Sequence, residues 1–243
     1  MRNNFGGKNT NTNMLFRLIS LFTLTFLPSL LQSQTVEMDS SKLPCDCKQI
    51  NEWQDLKNYI QQYQDMMHSD VNRKRPFLLL CPFDIKKEKT DETIQITQPI
   101  HLQCKRSEGE QCIIHGEGLA CSKYADCNQW MKVSADDVWL QGMIFIGSPN
   151  DVLYIDSDLQ GIKLIDMDFI GNSSPKRSDG SIIAVKDRTN IQIIGSHFMN
   201  NFGTAVENRG TTYILNSTFA NNHATPFYIS NDVLASVRLY PKY

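Results

Sequence analysis

VWLQGMIF at residues 138–145, IKLIDMDF at 162–169, IQIIGSHF at 191–198 and TYILNSTF at 212–219 are four copies of one pattern. Each copy ends on a Phe, and the Phe-to-Phe spacings are 24, 29 and 21 residues. Seven residues before the Phe stand Val138, Ile162, Ile191 and Thr212; five before it stand Leu140, Leu164, Ile193 and Ile214. Positions two apart face the same side of an extended strand, so these pairs mark one buried strand face. Three before the Phe stand Gly142, Asp166, Gly195 and Asn216, residue types that tolerate a left-handed or sharply bent backbone. Three after it stand Ser148, Asn172, Asn201 and Asn222, whose side chains can bond the backbone of a corner and, when stacked, one another.

The repeat therefore reads as strand, bend, inward Phe and polar corner. The gaps between copies hold a second apolar strand at 152–155, 182–185, 204–206 and 227–229. A unit of twenty-odd residues cannot bury its apolar face alone, and copies stack into a solenoid. Insertions such as 173–180 loop out at corners and make the period uneven. A β-sandwich would not need Phe-x-x-Asn at one fixed phase. The expected class is all-β, a right-handed parallel β-helix.

Upstream, residues 50–67 place Ile50, Trp53, Leu56, Ile60, Tyr63 and Met67 at spacings of three and four, which predicts one amphipathic helix covering an apolar surface. After a charged turn at 70–75, residues 77–82 read as a buried strand. Short alternating strands follow at 94–96 and 100–102, and another strand at 112–116.

The N-terminal stretch carries Arg2, Lys8 and Arg17, no acidic residue before Glu37, and an apolar run at 18–31. It reads as a signal peptide over 1–33 with Ser33 as the last residue before cleavage. An uncleaved signal anchor is the alternative, and Met14 is an alternative start. Residues 34–49 form a Cys-containing linker, and 50–243 the β-helix domain, with the cap helix at 50–67 and coils over 77–243. Secretion makes Cys45, Cys47, Cys81, Cys104, Cys112, Cys121 and Cys127 disulfide candidates rather than zinc ligands, since paired CxxC spacing is missing. Cys104 with Cys112 would close one small loop and Cys121 with Cys127 another; seven leaves an odd thiol. Asn172 and Asn216 head N-glycosylation sequons. The net charge of −2 carries no basic stripe for nucleic acid. No stable membrane span is expected once the signal is cleaved.

The I-x-I-x-x-x-x-F-x-x-N rung of Ile191 to Asn201 resembles the repeat of the right-handed β-helix superfamily of pectin and pectate lyases. The upstream order of a helix around Trp53 and Leu56, then PFLLLCPFDI, ITQPIHLQC and CIIHG, is similar too, so the resemblance covers residues 50 to 243. It implies the fold and leaves the activity open, because the superfamily includes lyases, hydrolases, epimerases, adhesins and inert spikes.

Its catalytic signatures are incomplete here. Asp136-Asp137 lacks the partners of a polygalacturonase and reads as a solvated turn. In lyases of this fold, calcium on a carboxylate cluster works with a basic residue. Asp156, Asp158, Asp166 and Asp168 alternate around a corner, so neither metal nor cofactor is expected. The column one residue before each Phe is Ile144, Asp168, His197 and Thr218; stacking in register sets Asp168 beside His197, as a general-base pair or an ordinary surface pair. The column six before the Phe is Trp139, Lys163, Gln192 and Tyr213, a polar and aromatic row suited to a glycan or to covering a loop or the cap. His101, His115 and His223 read as isolated and structural or solvated. The function expected first is a secreted, non-catalytic protein, at the cell surface or outside the cell, binding a polysaccharide or cell-wall polymer. A polysaccharide lyase or epimerase using Asp168 and His197 is second, and a structural or adhesion module third.

Overall fold

The computed structural model describes residues 47–68, 77–88, 90–106, 109–116, 129–173, 180–229 and 236–240. The expected signal peptide, nearly all of the linker, the turn at 70–75, Cys45, Cys121, Cys127 and most of the 173–180 insertion lie outside the described residues.

The described chain is one helix and a parallel β-helix, with strands β1 to β19 numbered along the sequence. Sheet A holds β1 (Phe77–Leu80), β4 (His101–Cys104), β7 (Trp139–Gln141), β10 (Ile162–Ile165), β13 (Asn190–Ile194), β16 (Thr211–Leu215) and β19 (Ser236–Tyr240). Sheet B holds β2 (Phe83–Lys87), β5 (Cys112–Gly116), β8 (Met143–Ile146), β11 (Asp168–Ile170), β14 (His197–Met199) and β17 (Thr218–Ala220). Sheet C holds β3 (Ile94–Ile96), β6 (Met131–Val133), β9 (Leu153–Ile155), β12 (Ser181–Val185), β15 (Thr204–Asn208) and β18 (Phe227–Ile229). Each turn of the solenoid contributes one strand to each sheet, and all pairings are parallel and in register.

The repeat positions do what their chemistry dictates. Val138, Ile162, Ile191 and Thr212, with Leu140, Leu164, Ile193 and Ile214, are all buried. Gly142, Asp166, Gly195 and Asn216 all adopt left-handed φ, at 77°, 51°, 61° and 49°, and turn the chain from sheet A into sheet B. Phe145, Phe169, Phe198 and Phe219 stack at centroid distances of 5.6, 4.8 and 4.7 Å with planes 12°, 15° and 7° apart. A second left-handed column, Gly147, Gly171, Asn200 and Asn221, immediately precedes the polar corner.

That corner is a hydrogen-bonded ladder. Asn172 Oδ1 accepts from the Ser148 amide at 2.9 Å, Asn201 Oδ1 from the Asn172 amide at 2.8 Å, and Asn222 Oδ1 from the Asn201 amide at 3.0 Å. The Nδ2 groups of Asn172, Asn201 and Asn222 donate inward to the carbonyls of Phe145, Phe169 and Phe198. Asn172 is therefore fully buried and its amide nitrogen is bonded on the inside of the solenoid. A glycan on Asn172 Nδ2, the atom expected to carry one, would have to displace this inward hydrogen bond. Asn216 is exposed at its corner.

Helix α1 (Trp53–His68) begins later than 50. Asp55 in its first turn accepts from the amides of Asn51 and Glu52 and so fixes the start. Ile50, Trp53, Leu56 and Ile60 are buried against the first rung, and the Trp53 indole donates to the Glu92 carbonyl at 2.9 Å. The strand expected over 77–82 ends at Leu80, and a second strand starts at Phe83 after a corner at Cys81-Pro82, where Cys81 bonds Cys47. Cys104 pairs with Cys112, as the eight-residue spacing suggested.

Candidate functional site

Inward positions form the core, so the sheets offer their outward faces as candidate surfaces. The register of sheet A aligns Phe77, His101, Trp139, Lys163, Gln192 and Tyr213 in one row across six strands. Neighbours in such a row stand ~4.8 Å apart. The four residues expected to form a column do so, and the row extends two strands further, through His101 to Phe77. His101 is buried edge-on between Phe77 and Trp139, with ring centroids 4.9 and 5.2 Å away, and its Nε2 lies 3.2 Å from Gln141 Oε1. The Lys163 ammonium lies 4.1 Å from the centre of the Trp139 ring, a cation–π contact. The row is thus a continuous strip of indole, ammonium, amide and phenol groups.

Sheet B carries the expected pair. Asp168 and His197 are register partners, and His197 Nδ1 lies 2.8 Å from Asp168 Oδ1. Arg106, which the sequence pattern did not point to, completes the group. Its Nε donates to the Gly142 carbonyl and its Nη2 to the Asp166 carbonyl, both at 2.9 Å, and Nη2 lies 3.5 Å from Asp168 Oδ2. The carboxylate side chain is 17% exposed and held between the guanidinium and the imidazole, while the imidazole is 48% exposed and its Nε2 has no partner among the described residues. A carboxylate that orients an imidazole leaves the far nitrogen available for proton transfer. Ile144, in the same column, is buried rather than outward and open.

The other histidines expected to be isolated are not. His115 Nε2 lies 3.0 Å from Asp84 Oδ1, and His223 stacks on Phe202 with centroids 4.5 Å apart. The Asp136-Asp137 turn is exposed, and Asp136 Oδ1 accepts the Gln160 amide at 2.7 Å.

Sheet C shows a face that the pattern did not reveal. The row between its core positions is Gln95, Lys132, Tyr154, Ala184, Glu207 and Tyr228, of which Ala184 is buried. Ammonium groups of Lys132 and Lys186 lie 5.7 and 4.9 Å from the Tyr154 ring centre. Asp151 sits at the corner, with Oδ1 accepting from the Ser181 amide at 3.2 Å and its hydroxyl at 3.0 Å. Burial pushes the Asp151 carboxyl above the usual range, against the pull of those Ser181 bonds.

The carboxylates that calcium chemistry would need do not converge. Asp156 is held by Lys132 at 3.0 Å and by Ser134, Asp158 by Arg188, and Asp168 by Arg106 and His197. Each of these carboxylates is already bonded to a basic side chain, and the set does not assemble the six to eight oxygens that calcium takes. Among the described residues no helix is long and apolar enough to cross a membrane. No protein-family model, curated protein or solved structure matches this chain.

Proposed function

We propose that this chain is a secreted β-helix protein, allied to the pectin- and pectate-lyase-like superfamily, that binds an extended glycan along an outward sheet face without cleaving it. The observation that carries this reading is the row on sheet A. A parallel in-register stack produces a straight strip of side chains at one-rung spacing, which matches a polymer lying across the strands. Trp139 and Tyr213 offer ring surface to the apolar face of a sugar, and Lys163 and Gln192 offer donors to its hydroxyls. The two disulfides and the basic-then-apolar N-terminus support export.

A second reading is favoured by one observation, the Arg106–Asp168–His197 group. An oriented imidazole beside a guanidinium suits removal of a proton next to a sugar carboxylate, the step shared by a polysaccharide lyase and an epimerase. Affinity electrophoresis against a panel of acidic and neutral polysaccharides tests the first reading. The wild-type chain is retarded by at least one polymer, and Trp139→Ala and Tyr213→Ala migrate freely in the same gel. Retardation untouched by both substitutions, or by no polymer at all, removes sheet A as the binding face.

A further inference from the structure

Beside the head of the sheet A row lies a cleft of about 470 Å³ between α1 and the first rung, lined by Lys48, Tyr59, Tyr63, Met66, Phe77 and Leu79 among others. Its size falls in the range of small-molecule sites. Its walls are two phenol rings, a phenyl ring, a thioether and two leucines, with the Gln62 amide beside them.

These walls are held in place. The Tyr63 hydroxyl donates to the Phe77 carbonyl at 2.9 Å. The Lys48 amide donates to the Leu79 carbonyl at 2.8 Å, and the Cys81 amide to the Lys48 carbonyl at 2.9 Å, so Lys48 is tied to the edge of β1. The Cys47–Cys81 disulfide fastens the same segment one residue away. The Lys48 ammonium lies 5.8 Å from the Tyr59 ring centre, and no carboxylate of a described residue lies within ion-pair distance of it.

A ring-lined cleft with one amide and one cation in its lining fits a compact aromatic body carrying a single negative group. An uncharged aromatic would gain nothing from the ammonium, and a polyhydroxylated sugar would need more hydrogen-bonding groups than the Lys48 ammonium, the Gln62 amide and the phenols supply. We infer that this cleft binds a small ring-bearing monocarboxylate, its ring between Tyr59, Tyr63 and Phe77 and its carboxylate on Lys48. This does not rest on the glycan reading.

Equilibrium dialysis of the full secreted chain against 2-naphthoate and its neutral analogue 2-naphthamide tests the inference. Naphthoate binds saturably, about fivefold tighter than the amide, the factor expected of one exposed ion pair. Lys48→Gln brings the two ligands to parity, and Met66→Trp, which fills the cleft from an exposed position, removes both. Glycan retardation is unchanged in Lys48→Gln, which separates failure here from failure of the sheet A site. Absence of saturable naphthoate binding overturns the inference. So does equal binding of acid and amide by the wild-type chain, or binding indifferent to both substitutions.

Discussion

Replacing Asn201 by Ala isolates the contribution of the asparagine ladder. Asn201 is fully buried, and its side chain makes four hydrogen bonds: Oδ1 accepts from the Asn172 amide at 2.8 Å and from Asn172 Nδ2 at 3.2 Å, and Nδ2 donates to the Phe169 carbonyl at 3.0 Å and to Asn222 Oδ1 at 2.9 Å. Asn172 Nδ2 keeps its bond to Phe145, and Asn222 Oδ1 keeps the Asn201 amide. The Asn172 amide and the Phe169 carbonyl lose these partners in a dry interior. Each such group costs about 1–3 kcal/mol, so the substitution costs about 2–6 kcal/mol. That is a large share of the roughly 5–15 kcal/mol that holds a domain folded. Asn222→Ala is the internal comparison, because Asn222 ends the described ladder and is only half-buried, so that water replaces part of what is lost. Urea unfolding followed by circular dichroism reads both midpoints. Asn201→Ala lowers its midpoint well beyond Asn222→Ala at an unchanged slope. A cost below about 1 kcal/mol for Asn201→Ala, where an orphaned buried group should cost at least that much, or equal costs at the two positions, refutes the reasoning.

Gly195→Ala strains a residue at φ 61° and drives the new methyl onto Asp166 Oδ1, 2.4 Å from the Cβ position; thermal melts should show a loss above about 1–2 kcal/mol, the cost of a left-handed non-glycine residue alone. Expression through a eukaryotic secretory pathway, followed by peptide mass spectrometry, should find glycan on Asn216 and none on Asn172; a glycan on Asn172 of folded protein contradicts the buried ladder. Asp151→Asn keeps an Oδ1 acceptor for Ser181 and removes a charge disfavoured by burial. A folded carboxyl pKa raised above its unfolded value makes the native state the stronger proton binder, so wild-type stability falls as pH rises through that interval. The variant is therefore more stable than wild type at pH 7, and the difference closes as pH falls through the raised value to below the ordinary carboxyl range. An unchanged gap across an acid titration of the melting temperature would remove burial as the cause.

The rungs from Val138 onward were legible because one residue type answers each structural demand. A left-handed corner selects Gly, Asp or Asn, and all four such positions take that backbone. A stacked interior selects Phe, and all four rings stack. The sheet C face was not legible for a geometric reason. Leu153, Val206 and Phe227 each lie eight residues past their Phe, but Ile183 lies fourteen past Phe169, so the insertion breaks the phase that would align Tyr154 with Ala184 and Glu207. Arg106 escaped notice because it stands outside every repeat and reaches Asp168 across 62 positions of sequence by a long side chain. Asn172 carries two competing signals, sequon and ladder, and the structure shows the ladder formed. At 77–82 an apolar run hid a corner, which the proline and the Cys81 disulfide reveal once the strands are paired.

The claim at the centre of this account is that the solenoid holds a glycan and does not cut it. Co-sedimentation with an insoluble form of the retarding polymer, run beside viscometry and unsaturated-product absorbance of its soluble form, tests both halves together. The account predicts binding that is lost in Trp139→Ala, kept in His197→Ala, and accompanied by constant polymer length. Shortening of the polymer that disappears in His197→Ala and Asp168→Asn would contradict it and make sheet B the active face.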